Sequence, residues 1–431
     1  MSVVSRVAKV AGKRPPLEIL VIGCGCSGSL FAKRFRDQLR SEAEALGKLP
    51  ERRHWERNLE DNVCLTMWDW ARGPAGRMST FHSCLDADQR QVADVGAQVL
   101  SVRSCKDEEL LRNCGAVDAF GLASSTCQRP ADATHLWMPG GLTRFLLMQI
   151  RDALPDDVAF NRRVLSVMRG SKQYEVEAEV SSPPHWLARG GFQTGRYVPE
   201  HGQAVTRQAF DAVVLAVTAT DAFKMHGIKS AIGHKVAEQL ERVVYDTRLS
   251  VTLMLSPSLK RPLEALFANG QSELDFEGCS PACGHGVLGM LSYQDRKLRS
   301  YPNCTVLVVH STCSFARSNM EAARVSRQTP EERGLDLVLD ALASQIQVSQ
   351  QCLREAVLDS KVIHWHQGQV KRCWSGGEDC LVVPDYATRA PGPLLVLCGD
   401  YFTEACFAGC SRSAVAAASV VTAWAMSRLA A

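Results

Sequence analysis

The sequence predicts an α/β fold that contains a parallel sheet, and three observations lead to this prediction. Residues Leu17–Ile22 (LEILVI) are a short apolar run followed at once by glycines, which is typical of a strand buried on both faces. Beyond Gly28, apolar residues recur at helical spacing: Leu30, Phe31, Phe35 and Leu39. Residues 64–68 form the next strand, which ends at Asp69. Strand, glycine turn, helix and strand together make a βαβ unit.

The rest of the chain continues this alternation of strands and helices. Residues 41–61 are dominated by charge, so we interpret them as a solvated insertion that lengthens the first crossover. Strands are predicted in four further segments: 164–167, 174–180, 212–217 and 305–310. An exposed loop is predicted at 183–202 and a helix at 335–346. Residues Leu394–Leu397 repeat the buried-strand signature, and an alanine-rich helix follows from Cys410.

Length and composition limit the class of protein. With 431 residues, the chain is long enough for two domains or for one domain with a large insertion. Hydrophobic residues make up 46% and charged residues 22%, which predicts a sizeable core and excludes disorder as the dominant state. The net charge of +3 gives no field that argues for nucleic acid. The longest apolar stretch, 413–426, is too short for a membrane span, so we expect a soluble protein.

Cysteine usage favours an intracellular protein. The chain has 17 cysteines, an odd number without a repeating spacing, whereas a disulfide framework is typical of shorter secreted chains with an even count. Residues 1–16 contain four basic residues and no acidic one. We interpret them as a disordered segment and expect a cytoplasmic protein, with a weak organelle-targeting signal as the alternative.

Residues 23–28 (GCGCSG) form a GxGxxG motif between a predicted strand and a predicted helix. In such a motif Gly23 makes the tight turn, Gly25 lets backbone amides approach a pyrophosphate, and Gly28 lets the helix pack close to the strand. The helix N-terminus presents unpaired N–H groups and the positive end of its dipole to the phosphates. We therefore predict a dinucleotide site that includes Cys26 and Ser27; a purely structural glycine turn is the alternative.

Asp69 and the turn after it extend this prediction. A carboxylate at the end of the second strand is placed to accept hydrogen bonds from ribose hydroxyls, although it lies farther from the glycines than is usual. An Asp that merely caps a turn is the alternative. The following segment is rich in glycine and carries Arg72 and Arg77, and a guanidinium there gives a pyrophosphate both charge and orientation.

The motifs together resemble the FAD-binding amine oxidase superfamily, and within it renalase and its relatives. The resemblance lies in five blocks that keep the family's order over most of the chain: 21–30 (VIGCGCSGSL), 68–80 with its GRMST, 93–98 (ADVGAQ), 210–217 (FDAVVLAV) and 398–410. Order and coverage make this resemblance more specific than any single block. The segment 221–384 shows little that aligns with the family.

The resemblance implies FAD as the cofactor and adds residues to its site. The second block would contribute Gly76 and Met78 beside Arg77. The residues that the family places beside the flavin ring, or that hold its ribityl chain and adenine, correspond to the following: Gly96, Ala97, Gln98, Val164, Gly399, Asp400, Gly409 and Cys410. A helix that starts near Cys410 would stabilise negative charge on a reduced flavin.

The resemblance also implies a domain arrangement. A discontinuous Rossmann-like FAD-binding domain would comprise 17–102, 138–220 and 385–431. A smaller substrate domain, inserted as 103–137 and 221–384, would be built on a mixed or antiparallel sheet.

The implied activity is that of an FAD-dependent oxidase. Renalase-like identity implies oxidation of isomeric dihydronicotinamide dinucleotides (2- or 6-dihydro-NAD(P)) to NAD(P)⁺ by hydride transfer to the flavin, with O₂ reduced to H₂O₂. Trp365 and His366 are the candidate groups that shape the site next to the flavin. An amine substrate is the alternative among enzymes, and a catalytically inactive dinucleotide-binding sensor or scaffold is the alternative outside them.

Two local features are weighed against this interpretation. Ala75 stands where the family has a glycine, which is tolerated unless the position needs a positive φ. Cys279, Cys283 and His285 lie close together, with Cys373 and Cys380 later in the chain, but no pair has the tight spacing of a zinc site. We therefore predict no metal site.

Overall fold

A computed structural model gives the fold of this chain. It describes residues 15–47, 60–83, 91–120, 132–180, 204–267, 270–276, 286–297, 303–326, 328–383 and 392–430.

The strands in chain order are β1 (Leu17–Ile22), β2 (Val63–Trp68), β3 (Thr80–Ser83), β4 (Gln91–Asp94), β5 (Leu100–Val102), β6 (Val117–Asp118), β7 (Thr134–Trp137), β8 (Asp157–Ala159), β9 (Arg162–Arg169), β10 (Tyr174–Val180), β11 (Ala204–Phe210), β12 (Ala212–Leu215), β13 (Val244–Tyr245), β14 (Arg248–Leu255), β15 (Glu273–Asp275), β16 (Leu288–Tyr293), β17 (Thr305–Ser311), β18 (Val357–Trp365), β19 (Val370–Arg372), β20 (Leu381–Val383) and β21 (Leu394–Leu397).

The α-helices are α1 (Cys26–Gly47), α2 (Cys105–Asn113), α3 (Leu142–Ala153), α4 (Ala219–Ala222), α5 (Ile228–Ile232), α6 (His234–Glu241), α7 (Lys260–Leu266), α8 (Gln294–Lys297), α9 (Cys313–Val325), α10 (Pro330–Gln345), α11 (Gln350–Ala356) and α12 (Phe407–Ala430). Single 3₁₀ turns occur at Glu60–Asn62, Gly76–Met78, Pro257–Leu259 and Asp400–Phe402.

The central sheet has the strand order β20-β21-β12-β1-β2-β8, and all its pairs are parallel except β20 with β21. One face packs on α1, α3 and α12 through a core that includes Phe31, Phe35 and Phe145. The other face is covered by the antiparallel sheet β11-β10-β9 and by α4–α6. Both faces of the strands are buried, which is why their sequences are continuous apolar runs. The predicted α/β fold with a Rossmann-like βαβ unit is confirmed.

The second large sheet is antiparallel, with the order β15-β16-β17-β14-β18. Its two faces differ in chemistry because side chains alternate along each strand. Leu249, Val251 and Leu253 point into an apolar core shared with α9–α11. The intervening positions include Ser250 and Thr252, which are polar although they are buried. The same face also carries Met254, Val306 and Val308, which form a small apolar cluster with Phe81 and Val95.

Most predicted elements are confirmed, with corrections at their ends. The first helix starts at Cys26, earlier than predicted, and continues through Gly47, so the first residues of the predicted solvated insertion at 41–61 extend this helix and are mostly exposed. Charged side chains there occupy the exposed face of a long amphipathic helix. The final helix starts at Phe407, before Cys410. The rest of that insertion, residues 48–59, and the predicted loop at 183–202 lie outside the described residues.

Two of the predicted domain boundaries pass through hydrogen-bonded strand pairs. β5, on the predicted FAD-binding side, pairs with β7 on the predicted substrate side. β20, assigned to the substrate side, pairs with β21 of the central sheet. Leu111 and Leu136 of the segment 103–137 also belong to the core on the α1 face. The two-domain division stays a prediction, and these contacts place its boundaries elsewhere if it holds.

Helix α12 is the one helix in the described part of the chain that is long and apolar enough to cross a bilayer. It packs closely against α1, and Ala414, Ala417 and Val421 contribute to the core. Its polar residues are also engaged, since the Ser411 hydroxyl donates to Asp107 and the Ser413 hydroxyl accepts from the Gly399 amide. A helix buried inside a protein meets the same length and composition criteria, so this one gives only weak support for a membrane span.

Candidate functional site

A cavity of about 2350 Å³ lies between the carboxyl edge of the parallel sheet and the polar face of the antiparallel sheet. Single-ligand pockets usually measure about 300–1000 Å³, so this one has room for more than one ligand group. The cavity is lined by every predicted site residue except Gly28 and Gly409, namely Gly23, Gly25, Cys26, Ser27, Asp69, Arg72, Gly76, Arg77, Met78, Gly96, Ala97, Gln98, Val164, Trp365, His366, Gly399, Asp400 and Cys410.

The three glycines of the first turn have different surroundings. Gly23 has φ +106°, and a Cβ there would lie 2.5 Å from the Ala216 carbonyl oxygen. A Cβ on Gly28 would overlap the carbonyl oxygen of Gly23, so the helix packs on the turn only because this residue has no side chain. A Cβ on Gly25 would meet no atom within 4 Å. The open space over Gly25, in front of the α1 N-terminus, is where a phosphate can approach the backbone.

Asp69 holds two turns together while it lines the cavity. One carboxylate oxygen accepts from the Cys24 amide at 2.6 Å, and the other accepts from the Ala71 amide at 2.8 Å. Burial raises the pKa of Asp69, and these two hydrogen bonds oppose the rise. Asp69 therefore caps a turn, as the alternative interpretation required. Each oxygen also keeps acceptor capacity for a ribose hydroxyl.

Arg77 forms an ion pair across the site. Its Nη2 donates to Asp400 Oδ1 at 2.8 Å, and its Nη1 donates to the Gly368 carbonyl at 3.3 Å. Burial alone would lower the pKa of Arg77, but the negative charge of Asp400 raises it further than burial lowers it. The pair links the glycine-rich turn to the turn after β21. The predicted cation therefore has a protein partner, and Arg72 of the same turn also lines the cavity.

The turn before Arg77 carries a strained residue. Ala75 has φ +98° and is buried, so this position does need the backbone conformation that glycine prefers. Such a conformation costs an L-residue about 1–2 kcal/mol. Gly76 follows with φ +50°, and Met78 is buried beneath the turn.

Residues 94–98 form a turn fixed to the Gly-Arg-Met segment. The Ala97 amide donates to the Arg77 carbonyl at 2.8 Å, and the Val95 amide donates to the Ser79 carbonyl at 3.0 Å. A Cβ on Gly96 would overlap the Arg77 carbonyl oxygen, so this close approach requires glycine. From the other sheet, Ser250 and Trp365 both donate to the Val95 carbonyl.

Gln98 is the centre of a buried polar cluster behind this turn. Its Nε2 donates to the Asp94 and Gly96 carbonyls, and its Oε1 accepts from Gln294 at 2.8 Å and Lys297 at 3.0 Å. Lys297 also pairs with Glu273 at 2.7 Å, with both side chains almost fully buried. Gln98 was predicted to bind the flavin. Its amide bonds protein groups in this structure, and it serves the cavity by holding the turn.

Two helices point their N-termini into the cavity. α1 starts at Cys26 and α12 at Phe407. The Cys26 thiol is hydrogen-bonded to Cys410 on α12, and that bond together with burial raises the pKa of Cys26 well above its ordinary value. Gly409 does not line the cavity. A Cβ there would overlap the Glu404 carbonyl oxygen, so close packing of the backbone explains the glycine at this position. Val164 lines the cavity from β9, beside the first turn.

The antiparallel sheet supplies the opposite wall. Trp365 reaches the 94–98 turn, and His366 stacks on His364 with ring centroids 4.6 Å apart. The residues of this wall that were not predicted from the sequence include Arg248, Met290, His310 and Lys361. The pKa of His310 is lowered to about 4 by burial and by the charges of Arg248 and Lys297, so its ring is neutral at pH 7. The signal available in the sequence for this wall was the presence of polar residues between the apolar ones along β14.

Asp94 gives this region a pH-dependent stability. Burial raises its pKa to about 6, although Leu142 and Thr80 donate hydrogen bonds to it. Between about pH 4 and 6 the folded protein keeps a proton that the unfolded chain has released, so the free energy of unfolding falls as pH rises through this window. The difference between the pKa of Asp94 in the folded protein, about 6, and its ordinary value of 3.8 corresponds to about 3 kcal/mol of unfolding free energy.

We expect Asp94→Asn to remove this contribution, because the amide oxygen can accept the same two hydrogen bonds and does not ionise. Urea unfolding at pH 4 and pH 8 measures it: the variant should gain stability relative to wild type as pH rises. His310 titrates in the same window in both proteins and cancels in the difference. A difference between variant and wild type that is independent of pH would contradict the assignment.

Of the cysteines and histidine weighed as metal ligands, Cys279, Cys283 and His285 lie outside the described residues. Within the described ranges, no group of three or more His, Cys, Asp or Glu side chains is placed to hold a metal ion.

Comparison with known proteins supports the fold. No family model matches the chain. A protein of Exiguobacterium sp. 255-15 described as a protoporphyrinogen oxidase superposes with a TM-score of 0.58 at 10% identity, over 94% of this chain and 98% of its own. A wild-type putrescine oxidase bound to putrescine gives a TM-score of 0.55 at 11% identity, over 95% and 99%. At identities this low, the superpositions establish a shared fold across nearly the whole chain.

Proposed function

We propose that this chain is an FAD-dependent oxidase. The observation that carries the proposal is one cavity that is lined both by the GxGxxG turn with Asp69 and by the 94–98 turn with Trp365. An extended dinucleotide fits such a cavity, because its phosphates and its reactive ring need separate environments. The two solved structures compared above are both described as oxidases, and the resemblance to the amine oxidase superfamily points to the same cofactor.

The residues present suit FAD. The open backbone at Gly25 and the α1 N-terminus would hold the pyrophosphate, with Asp69 on the adenosine ribose and Val164 near the adenine. The Arg77–Asp400 pair, the Gly96–Ala97 turn and the α12 N-terminus would surround the ribityl chain and the ring. Bound FAD would supply the hydride acceptor. O₂ would reoxidise the reduced flavin and would itself be reduced to H₂O₂.

We infer that the substrate is an isomeric dihydronicotinamide dinucleotide, which would be oxidised to NAD(P)⁺. Of the charged residues that line the cavity beside the antiparallel sheet, Arg248 is paired with the buried Asp246 at 3.0 Å. Lys361 lines the same wall beside Arg72 and makes no ion pair among the described residues, so it is the group that suits an anionic ligand. An amine is a cation at neutral pH and is typically received by carboxylates or by a cage of aromatic rings.

For such a substrate the protein contributes orientation and exclusion of water. Loss of hydride from a dihydropyridine leaves an aromatic ring and needs no general base. Trp365 and His366 would set the approach of the ring. A flavin-dependent amine oxidase remains the second candidate, supported by the putrescine oxidase fold. We further propose that the protein acts in the cytoplasm, as the absence of disulfides among the described cysteines favours.

The first experiment is the visible absorption spectrum of the purified protein after incubation with FAD. We expect a bound flavin that bleaches anaerobically on addition of 2- or 6-dihydro-NAD and recovers with H₂O₂ when air is admitted. A flavin that bleaches only with amines would replace the substrate assignment. A protein that binds FAD but is reduced by neither would point to a sensor or scaffold, and failure to bind FAD would overturn the proposal.

A further inference from the structure

We propose that Lys361 and the open edge of β18 form a subsite for the phosphates of the substrate, distinct from the site of the cofactor phosphates. The inference rests on the proposed function, since it assigns the part of the dinucleotide substrate that lies away from its reactive ring.

Lys361 lies on the cavity face of the antiparallel sheet. β18 places Lys361, Ile363 and Trp365 on one side, because side chains alternate along a strand. Ile363 and Trp365 on this side pack against Phe81 and Val95 beside the 94–98 turn. Lys361 and Trp365 are four positions apart along the strand, which corresponds to about 13 Å. A ligand that contacts both is therefore an extended one.

Lys361 is a cation on the cavity wall. Arg72 lines the same cavity; burial and the charge of Arg72 lower the pKa of Lys361, and the charge of Asp359 raises it. Within the described part of the chain, the Lys361 ammonium makes no hydrogen bond and no ion pair. Asp359 accepts instead from the Ser83 hydroxyl and the Ser360 amide. A phosphate at Lys361 would accept hydrogen bonds from these ammonium donors.

The strand itself extends the subsite. β18 is the last strand of its sheet, so one edge of its backbone pairs with no other strand among the described residues. Every residue from Lys361 to Gln369 lines the cavity, which places this open edge along it. Peptide N–H and C=O groups at such an edge can bind the ribose hydroxyls and the carboxamide that flank the phosphates. Charge at Lys361 and a polar edge leading to Trp365 together describe a site for a nicotinamide nucleotide.

The test compares Lys361→Gln with wild type, both loaded with FAD. Lys235→Gln is the control, since Lys235 is exposed on α6, outside the cavity wall, and this variant loses the same charge. Anaerobic flavin reduction is measured with 6-dihydro-NAD and with the phosphate-free 6-dihydronicotinamide riboside. Calorimetric titration with inorganic pyrophosphate gives a binding constant that is independent of turnover.

We expect Lys361→Gln to weaken pyrophosphate binding and to raise the half-saturating concentration of the dinucleotide. Each change should be about tenfold, because one hydrogen bond to a charged group contributes about this much to binding. The riboside and the control variant should be unaffected. Equal losses with both substrates, unchanged pyrophosphate binding, or loss of bound FAD would overturn the subsite. If neither substrate reduces wild-type flavin, the proposed function fails, and the pyrophosphate titration alone then decides whether Lys361 binds phosphate.

Discussion

Gly25→Ala is expected to fold as stably as the wild-type protein and to lose affinity for FAD by tenfold or more, about 1.4 kcal/mol. The Cβ would meet no protein atom within 4 Å, so the fold has no reason to change. It would occupy the space through which a phosphate reaches the backbone amides of the turn. Urea unfolding without FAD measures the first expectation, and equilibrium titration of the flavin-free protein with FAD measures the second.

Gly28→Ala in the same motif is the matched comparison, with the opposite pattern. Its Cβ would overlap the Gly23 carbonyl oxygen, which belongs to the backbone and cannot turn away. Helix α1 would have to shift from the turn, and overpacking of this kind costs about 1–3 kcal/mol or more. We expect a lower free energy of unfolding before any cofactor is added. If the two variants lost stability equally, the assignment of phosphate approach to Gly25 would be wrong.

These expectations use a part of the site that could be predicted from the sequence. The motif, its strand and its helix are local in the chain, so their spacing fixes their geometry. Leu17–Ile22 and Leu394–Leu397 were predicted with the bounds that the structure gives, because strands buried on both faces have continuous apolar sequences. The predicted ends of helices were less accurate, since charged residues on an exposed helix face resemble those of a loop.

The antiparallel wall could not be predicted in the same way. Arg248, His310 and Lys361 come from three strands that are distant in sequence, and only the order of the sheet brings them to one cavity. A single buried serine or threonine in a strand gives no indication of which residues it will face. The Arg77–Asp400 pair illustrates the same point, because both residues were predicted for the site but their contact depends on how the two turns meet.

The buried pair of Lys297 and Glu273 gives the second large expected effect. Lys297→Met should lower the free energy of unfolding by about 3–5 kcal/mol, because it leaves the Glu273 carboxylate buried without its counter-ion. The variant would also remove two hydrogen bonds to Gln98, so the 94–98 turn should hold FAD less tightly. Urea unfolding and the flavin content of the purified protein measure the two effects.

Two further variants separate the buried charge from the loss of a lysine. Lys297→Met combined with Glu273→Gln should recover much of the stability, since the isolated charge is gone, while the turn still lacks the ammonium group. Lys229→Met removes a lysine whose ion pair with Glu241 is half exposed, and it should cost less than about 1 kcal/mol. A Lys297→Met protein within 1 kcal/mol of wild type would show that Glu273 is protonated or hydrated there. The polar cluster around Gln98 would then not act as a rigid support for the 94–98 turn.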